Sequence, residues 1–453
     1  MPSIAVPFDV WSSIAEYITP DTLVALAPVN QAFYDIAQKV KYQVTDLVTY
    51  DKNTKKLLKD LQDPSLGSLV RTVHIRPWKV SDVVKPSPRR PYRAIARVYS
   101  FLDEDYAVQR AKEAVEKRLR KHIQLVLDAV GKLQNVVEYR IEWDETPGYH
   151  AQFFQAFLYP LLGDTSFGHS LTKFSLKVPV EKLPGLASVH LPLLQELDVH
   201  LSTGALPSQE VKDLVDSFVV FINNLYPTLR SFAVTSTCTS QNLDLNYLFR
   251  LLGKFPALRS LALSTPWDGV HVWAPSGEPF PLQLFIAKHA RQLEELKFMG
   301  SRIANRHVPL DPEAKTWIHR LLAGIDDNYC LLSKLEVDIR TFRADLSPFF
   351  LCLDKIASQL ESLVLTEYPL AYADVESLLQ SFAHHGHGQA TSLKTLAICL
   401  RCLTPEVIDL LAYGFPHLRS LELTFTEVSG AHFGNQVEKL VGRALHICAE
   451  NVN

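Results

Sequence analysis

Tyr226-Pro-Thr-Leu229-Arg-Ser-Phe232-Ala-Val234, Phe255-Pro-Ala-Leu258-Arg-Ser-Leu261-Ala-Leu263 and Phe415-Pro-His-Leu418-Arg-Ser-Leu421-Glu-Leu423 are near copies of one another. Their shared core is L-x-x-L-x-L, with other apolar residues allowed at each anchor. The x-L-x-L alternation is the period-two signature of a short strand with one buried face. Working outward, eight looser copies appear: Val70/Val73/Ile75, Val136/Tyr139/Ile141, Leu171/Phe174/Leu176, Leu194/Leu197/Val199, Leu293/Leu296/Phe298, Leu332/Leu335/Val337, Leu360/Leu363/Leu365 and Leu393/Leu396/Ile398. From Val136 to Leu418 the spacing varies but averages about 31 residues.

Between the copies lie helical patterns. Asp311-Pro312-Glu313, Ser347-Pro348 and Thr404-Pro405-Glu406 each set a capping side chain before a proline. Proline suits the first helical position, where its missing N–H would be unpaired anyway. Further helices are predicted near 107–131, 150–162, 208–226, 243–253, 281–290, 371–383 and 432–449. A strand–loop–helix unit of this length cannot bury its own apolar face, and stacking many of them builds a shared core.

These repeats resemble the leucine-rich-repeat family. The resemblance implies an α/β solenoid, a horseshoe with parallel strands inside and helices outside. The repeats here are longer than the family's usual 20 to 29 residues, and no Asn or Cys stands at the usual turn position. The expected organisation is an N-terminal helical module over 1–45 and a solenoid over 46–453. Insertions are expected at 76–106, 264–282 and 300–311.

Residues 1–45 carry no repeat. Val10, Ile14, Tyr17 and Ile18 recur at helical spacing, Thr19-Pro20-Asp21 starts a second helix, and Pro28 separates it from a third. The positions Val6-Pro7, Asp9, Ile14, Tyr17-Ile18, Leu23, Leu26, Val29-Asn30 and Phe33-Tyr34 resemble the F-box motif. Val6 stands where the family has Leu, and Gln31 where it has a basic residue. The resemblance implies the substrate-recognition subunit of an SCF (Skp1–cullin–F-box) ubiquitin ligase, without catalysis of its own and present as a monomer within a hetero-complex. A Skp1-type adaptor, and through it a cullin, would bind the F-box. A target protein would bind the repeats. Pro7, Val10, Ile14, Ile18, Leu23, Leu26, Val29 and Phe33 are the expected adaptor-binding residues. The alternative is a plain repeat scaffold whose N-terminal helices only cap the solenoid.

Composition narrows the classes. The 453 residues are 47% hydrophobic and 21% charged, with a formal charge of −3. This is ordinary globular composition and lacks the basic excess of a wholesale nucleic-acid binder. No apolar run approaches the ~20 residues of a membrane helix. The N-terminus lacks a signal-peptide pattern, and the six Cys read as buried thiols of a reducing compartment. A cytoplasmic or nuclear protein is the expectation.

Motifs for catalysis are missing: no G-x-x-x-x-G-K-[S/T], H-E-x-x-H or G-x-S-x-G occurs. Cys399-Leu-Arg-Cys402 lacks the second ligand pair of a zinc site, and His384-His385-Gly-His387 reads as a solvated loop. No cofactor or metal is implied. From Arg76 to Arg97 seven basic residues face one acid, Asp82, for a net +6. Arg89, Arg90 and Arg93 there could hold an acidic or phosphorylated partner. The rival reading of that stretch is a solvated loop. Trp267 and Trp273 are the aromatic candidates for target binding.

Overall fold

The computed structural model describes residues 6–49, 51–76, 104–143, 157–158, 167–204, 206–237, 240, 242–272, 280–301, 316–326, 328–343, 345–383, 392–428 and 445–448. The chain divides into two compact units, Met1–Leu194 and Gln195–Asn453.

The first unit opens with three helices, α1 (Phe8–Glu16), α2 (Pro20–Leu26) and α3 (Gln31–Gln43). Asn30 caps α3: its side-chain oxygen accepts the Phe33 N–H at 2.8 Å. Replacing Asn30 with Ala should therefore cost about 1 kcal/mol. The check is a lowered thermal midpoint that Asn30→Asp restores. The helices close on a small core of Ala15, Leu23, Phe33 and Ile36, with Trp11, Ile18, Leu26 and Val40 packed against it. Trp11 meets Phe33 edge-on at 5.0 Å.

Helix α3 runs straight into β1 (Val44–Leu47), so the boundary expected at residue 45 falls inside a strand. β1 pairs in parallel with β2 (Thr72–Ile75), β2 with β3 (Glu138–Glu142) and β3 with β4 (Lys173–Pro179). Helices α4 (Lys52–Asp60), α5 (Pro64–Gly67) and α6 (Glu104–Val130) lie between them in sequence.

The second unit continues the same plan. Parallel strands β5 (Glu196–Ser202), β6 (Ser231–Ser236), β7 (Ser260–Pro266), β8 (Glu295–Ser301), β9 (Lys334–Asp338), β10 (Ser362–Thr366), β11 (Thr395–Leu403) and β12 (Ser420–Val428) pair in chain order. Helices α7 (Ser208–Asn224), α8 (Leu245–Leu251), α9 (Pro281–Ala287), α10 (Trp317–Ala323), α11 (Ser347–Ile356), α12 (Tyr372–Ala383) and α13 (Pro405–Gly414) connect successive strands. The fold class is the α/β strand–helix repeat solenoid that the leucine spacing implies.

The repeat motif has a backbone counterpart. The carbonyl before most of the strands accepts two N–H groups from the next repeat. Arg230 O takes Arg259 N and Ser260 N, at 2.7 and 2.9 Å. Arg259, Glu294, Ser333, Glu361 and Lys394 repeat the arrangement, and so do Arg71 and Val137 in the first unit. The apolar anchors alternate inward as the spacing requires. Leu229, Phe232 and Val234, like Leu258, Leu261 and Leu263, are buried.

Several sequence expectations are corrected. The predicted helix near 432–449 is contradicted over Leu445–Cys448, which form β13 and pair antiparallel with β12. An unpaired sheet edge exposes a row of backbone donors and acceptors, and a strand there satisfies them. The insertion expected from 264 begins later, because β7 runs through Pro266. The one expected from 300 likewise follows Ser301, the last residue of β8. Ser347 does not cap α11. The cap residue is Leu346, and Asp345 accepts the Ser347 N–H at 2.9 Å. Thr404 does cap α13, accepting the Val407 N–H. Of the thiols expected to be buried, Cys352 is, Cys399 and Cys402 are half-buried, and Cys330 is exposed.

Candidate protein-docking surfaces

The N-terminal helices sort their apolar residues into two faces. Trp11, Ala15 and Ile18 of α1 and its end point into the module's core. Val10, Ile14 and Tyr17, at i, i+4 and i+7, form the other stripe and are exposed, Tyr17 at 91%. Val6, Phe8, Val24, Val29 (64%) and Tyr34 add further exposed apolar area. A chain with a core this small gains nothing by leaving so many large apolar side chains in water. Clustered exposure of this kind marks interaction surfaces.

The eight residues expected to face an adaptor or to support that face therefore divide. Pro7, Val10, Ile14 and Val29 are exposed. Ile18 and Leu26 are half-buried supports of the core. Leu23, only 3% exposed, and Phe33 are buried within the module and present nothing to a partner. Three short helices need an interior of their own, and the spacing alone does not say which leucine supplies it.

A second surface lies within the second unit, where β5 to β9 begin. A polar groove of about 290 Å³ is lined by Gln195, Glu196, Arg230, Ser231, Arg259, Ser260, Glu294, Glu295, Ser333 and Lys334. Arg259 Nε lies 3.3 Å from Glu294 Oε1, and its Nη1 donates to the Gln292 carbonyl. The Ser260 hydroxyl donates to Glu295 at 3.1 Å. These residues sit in the positions between the repeat anchors, and for four of the ten the sequence signal is the recurring Arg-Ser dipeptide.

Trp267 is half-buried, and its backbone is tied to the neighbouring repeats. Its backbone N–H donates to the Ser301 carbonyl at 3.1 Å, and its own backbone carbonyl accepts Trp317 Nε1–H at 3.3 Å. Trp273, Arg89, Arg90 and Arg93 lie outside the described residues, as do His384, His385 and His387. Arg76, at the start of the basic stretch, is paired: its Nε meets Glu142 Oε2 at 2.6 Å. Burial pushes Glu142 up, but the hydrogen bond and charge of Arg76 outweigh it and hold the carboxyl below its ordinary range.

Buried ionisable groups serve packing. Asp338 is fully buried and accepts the Gly300 and Arg340 N–H groups at 3.1 and 2.9 Å. Desolvation raises its pKa against those bonds and the Arg340 charge. Arg340 also reaches Glu367 at 2.7 Å. Residue 300 must be glycine here, since a Cβ would stand 2.4 Å from Asp338 Oδ2 and 2.8 Å from Trp267 Cβ. Among the described residues no group of three His, Cys, Asp or Glu side chains is placed to hold a metal ion, and no helix is long and apolar enough to cross a membrane.

No protein-family model and no curated protein matches the chain. A solved structure similar to it is that of the leucine-rich repeat-containing protein LegL7 from Legionella pneumophila. The two are 12% identical, with a TM-score of 0.40 over 84% of this chain and 90% of that one. The fold assignment rests on the strand ladder and the repeat register, not on this likeness.

Proposed function

We propose that the chain is a non-catalytic substrate receptor of an SCF-type ubiquitin ligase. Its N-terminal helices would dock a Skp1-type adaptor, and its strand–helix repeats would hold a target protein. The observation that carries the reading is the exposed apolar stripe of Val10, Ile14 and Tyr17 on α1, with Val29 beyond α2. It stands on a helical module whose F-box-like residues otherwise form a closed core. Ubiquitin transfer would belong to other subunits. This chain's part would be proximity, raising the local concentration of a target lysine beside the charged carrier. The cytoplasm and the nucleus are the compartments the reading requires.

The test is capture of purified Skp1-type adaptor by the full chain. Wild type is expected to retain it, and a Val10→Asp, Ile14→Asp, Val29→Asp triple variant to lose at least about 100-fold in affinity, since each charge replaces buried apolar area. These positions are exposed, so the variant's thermal midpoint should stay within a few degrees of wild type. Leu23 is unsuitable, because a charge there breaks the module's own core. Failure of wild type to bind, or equal binding by the variant, rejects the reading in favour of a plain repeat scaffold.

A further inference from the structure

The Arg-Ser dipeptide of the three near-identical repeats is not required by the L-x-x-L-x-L core. Two of its copies fall on adjacent strands. Arg230-Ser231 opens β6 and Arg259-Ser260 opens β7, with Ser231 opposite Ser260 in the ladder. The Arg259 N–H donates to the Arg230 carbonyl at 2.7 Å. The two arginines are therefore neighbours at one strand spacing, about 4.8 Å, on the wall of the same groove. Like charges so placed repel.

Among the described residues only one of them is compensated. Arg259 is held by Glu294 and by the Gln292 carbonyl. Arg230 is exposed, and its guanidinium meets no partner among the described residues. The half-buried Ser231 hydroxyl beside it is likewise unbonded there, and so is the Lys334 ammonium at the β9 end. The carboxylates of the groove are occupied. Glu294 meets Arg259, Glu295 accepts from Ser260, and Glu196 is engaged as well. The unspent capacity at the start of β6 is a guanidinium fork and a hydroxyl, both suited to an oxyanion, with the Lys334 ammonium three strands along, on β9.

We propose that this groove binds one anionic side chain, a carboxylate or a phosphorylated hydroxyl, presented by an extended segment of a partner protein. The inference rests on the reading of the repeats as a target-holding scaffold and names the chemistry of what they hold. Five strand starts spaced about 4.8 Å apart span roughly 19 Å, the length of about six extended residues. The three flanking carboxylates repel a polyanion such as nucleic acid, so a single anionic group among neutral residues fits best.

The experiment uses the purified full chain and fluorescent peptides Ala-Thr-Ala-X-Ala-Thr-Ala, where X is Glu, phosphoserine, Ser or Lys. Anisotropy should show the Glu or phosphoserine peptide bound at least about tenfold tighter than the Ser and Lys peptides, and the stronger of the two identifies the anion. Arg230→Gln should abolish the preference. Arg419→Gln, in the third copy away from the groove, should leave it intact. The proposal is overturned if no anionic peptide binds at millimolar concentration, if Ser or Lys peptides bind as well, or if Arg230→Gln with an unchanged melting curve behaves as wild type. Adaptor capture measured on the same preparations separates the two ideas. Adaptor retained without peptide preference rejects the groove alone, and the reverse result rejects the adaptor reading alone.

Discussion

Replacing Trp317 with Ala is expected to lower the unfolding free energy by about 3–5 kcal/mol, the range for emptying a large aromatic site in a packed core. Trp317 begins α10 and is 2% exposed. Its ring meets Phe298 of β8 edge-on at 6.4 Å, and its Nε1–H donates to the Trp267 carbonyl at 3.3 Å. The substitution therefore opens a cavity and removes a buried donor together. Trp317→Phe retains most of the volume but leaves the carbonyl without that donor, so its cost should be smaller, about 1–3 kcal/mol. Urea unfolding followed by circular dichroism distinguishes them. Equal midpoints for wild type and Trp317→Ala would show that this contact does not hold the repeats together.

The second large effect is on acid stability. His289 is buried against Phe255 and Phe285, with ring centroids 6.1 and 4.5 Å away. Its Nε2 accepts the Phe255 N–H at 2.9 Å, which assigns the proton to Nδ1, 2.7 Å from the Phe285 carbonyl. Burial is the main cause that depresses its pKa from 6.5 to about 4. Below pH 6.5 the unfolded chain takes up a proton that the folded chain refuses until about pH 4. Stability contributed by the neutral ring is thus complete above pH 6.5 and is lost as pH falls towards 4. At 1.36 kcal/mol per unit this amounts to about 3 kcal/mol. His319, also lowered by burial, acts in the same direction. A His289→Gln variant should be less stable at pH 7 yet show a flatter decline from pH 6.5 to 4. An unchanged slope would remove His289 as the cause.

All eleven leucine-pattern segments became strands, β2 to β12, because each carries its own period-two signal. β1 and β13 carry too little of it. β1 has Thr45 in one of its inward positions and is a strand because it pairs with β2. β13 exists because β12 offers an edge. Helical spacing marked the three N-terminal helices, but Leu23 and Phe33 share the apolar character of Val10 and Val29. Only packing separates the pair that fills the module's core from the pair left exposed. Trp267 was readable as an aromatic residue after a strand, while its backbone partners, Ser301 and Trp317, lie 34 and 50 residues further on.

The sequence by itself determined the repeating strand–helix plan, since hydrophobic periodicity is local and each repeat encodes its own buried face. It also contained the Arg-Ser dipeptides that open β6 and β7. Only the tertiary structure decided that those two copies become neighbours, that Glu294 compensates Arg259, and that Arg230 has no such partner among the described residues. The reason is physical. Strand register joins residues about thirty positions apart, and the charge balance of a groove is a property of side chains brought together by that register.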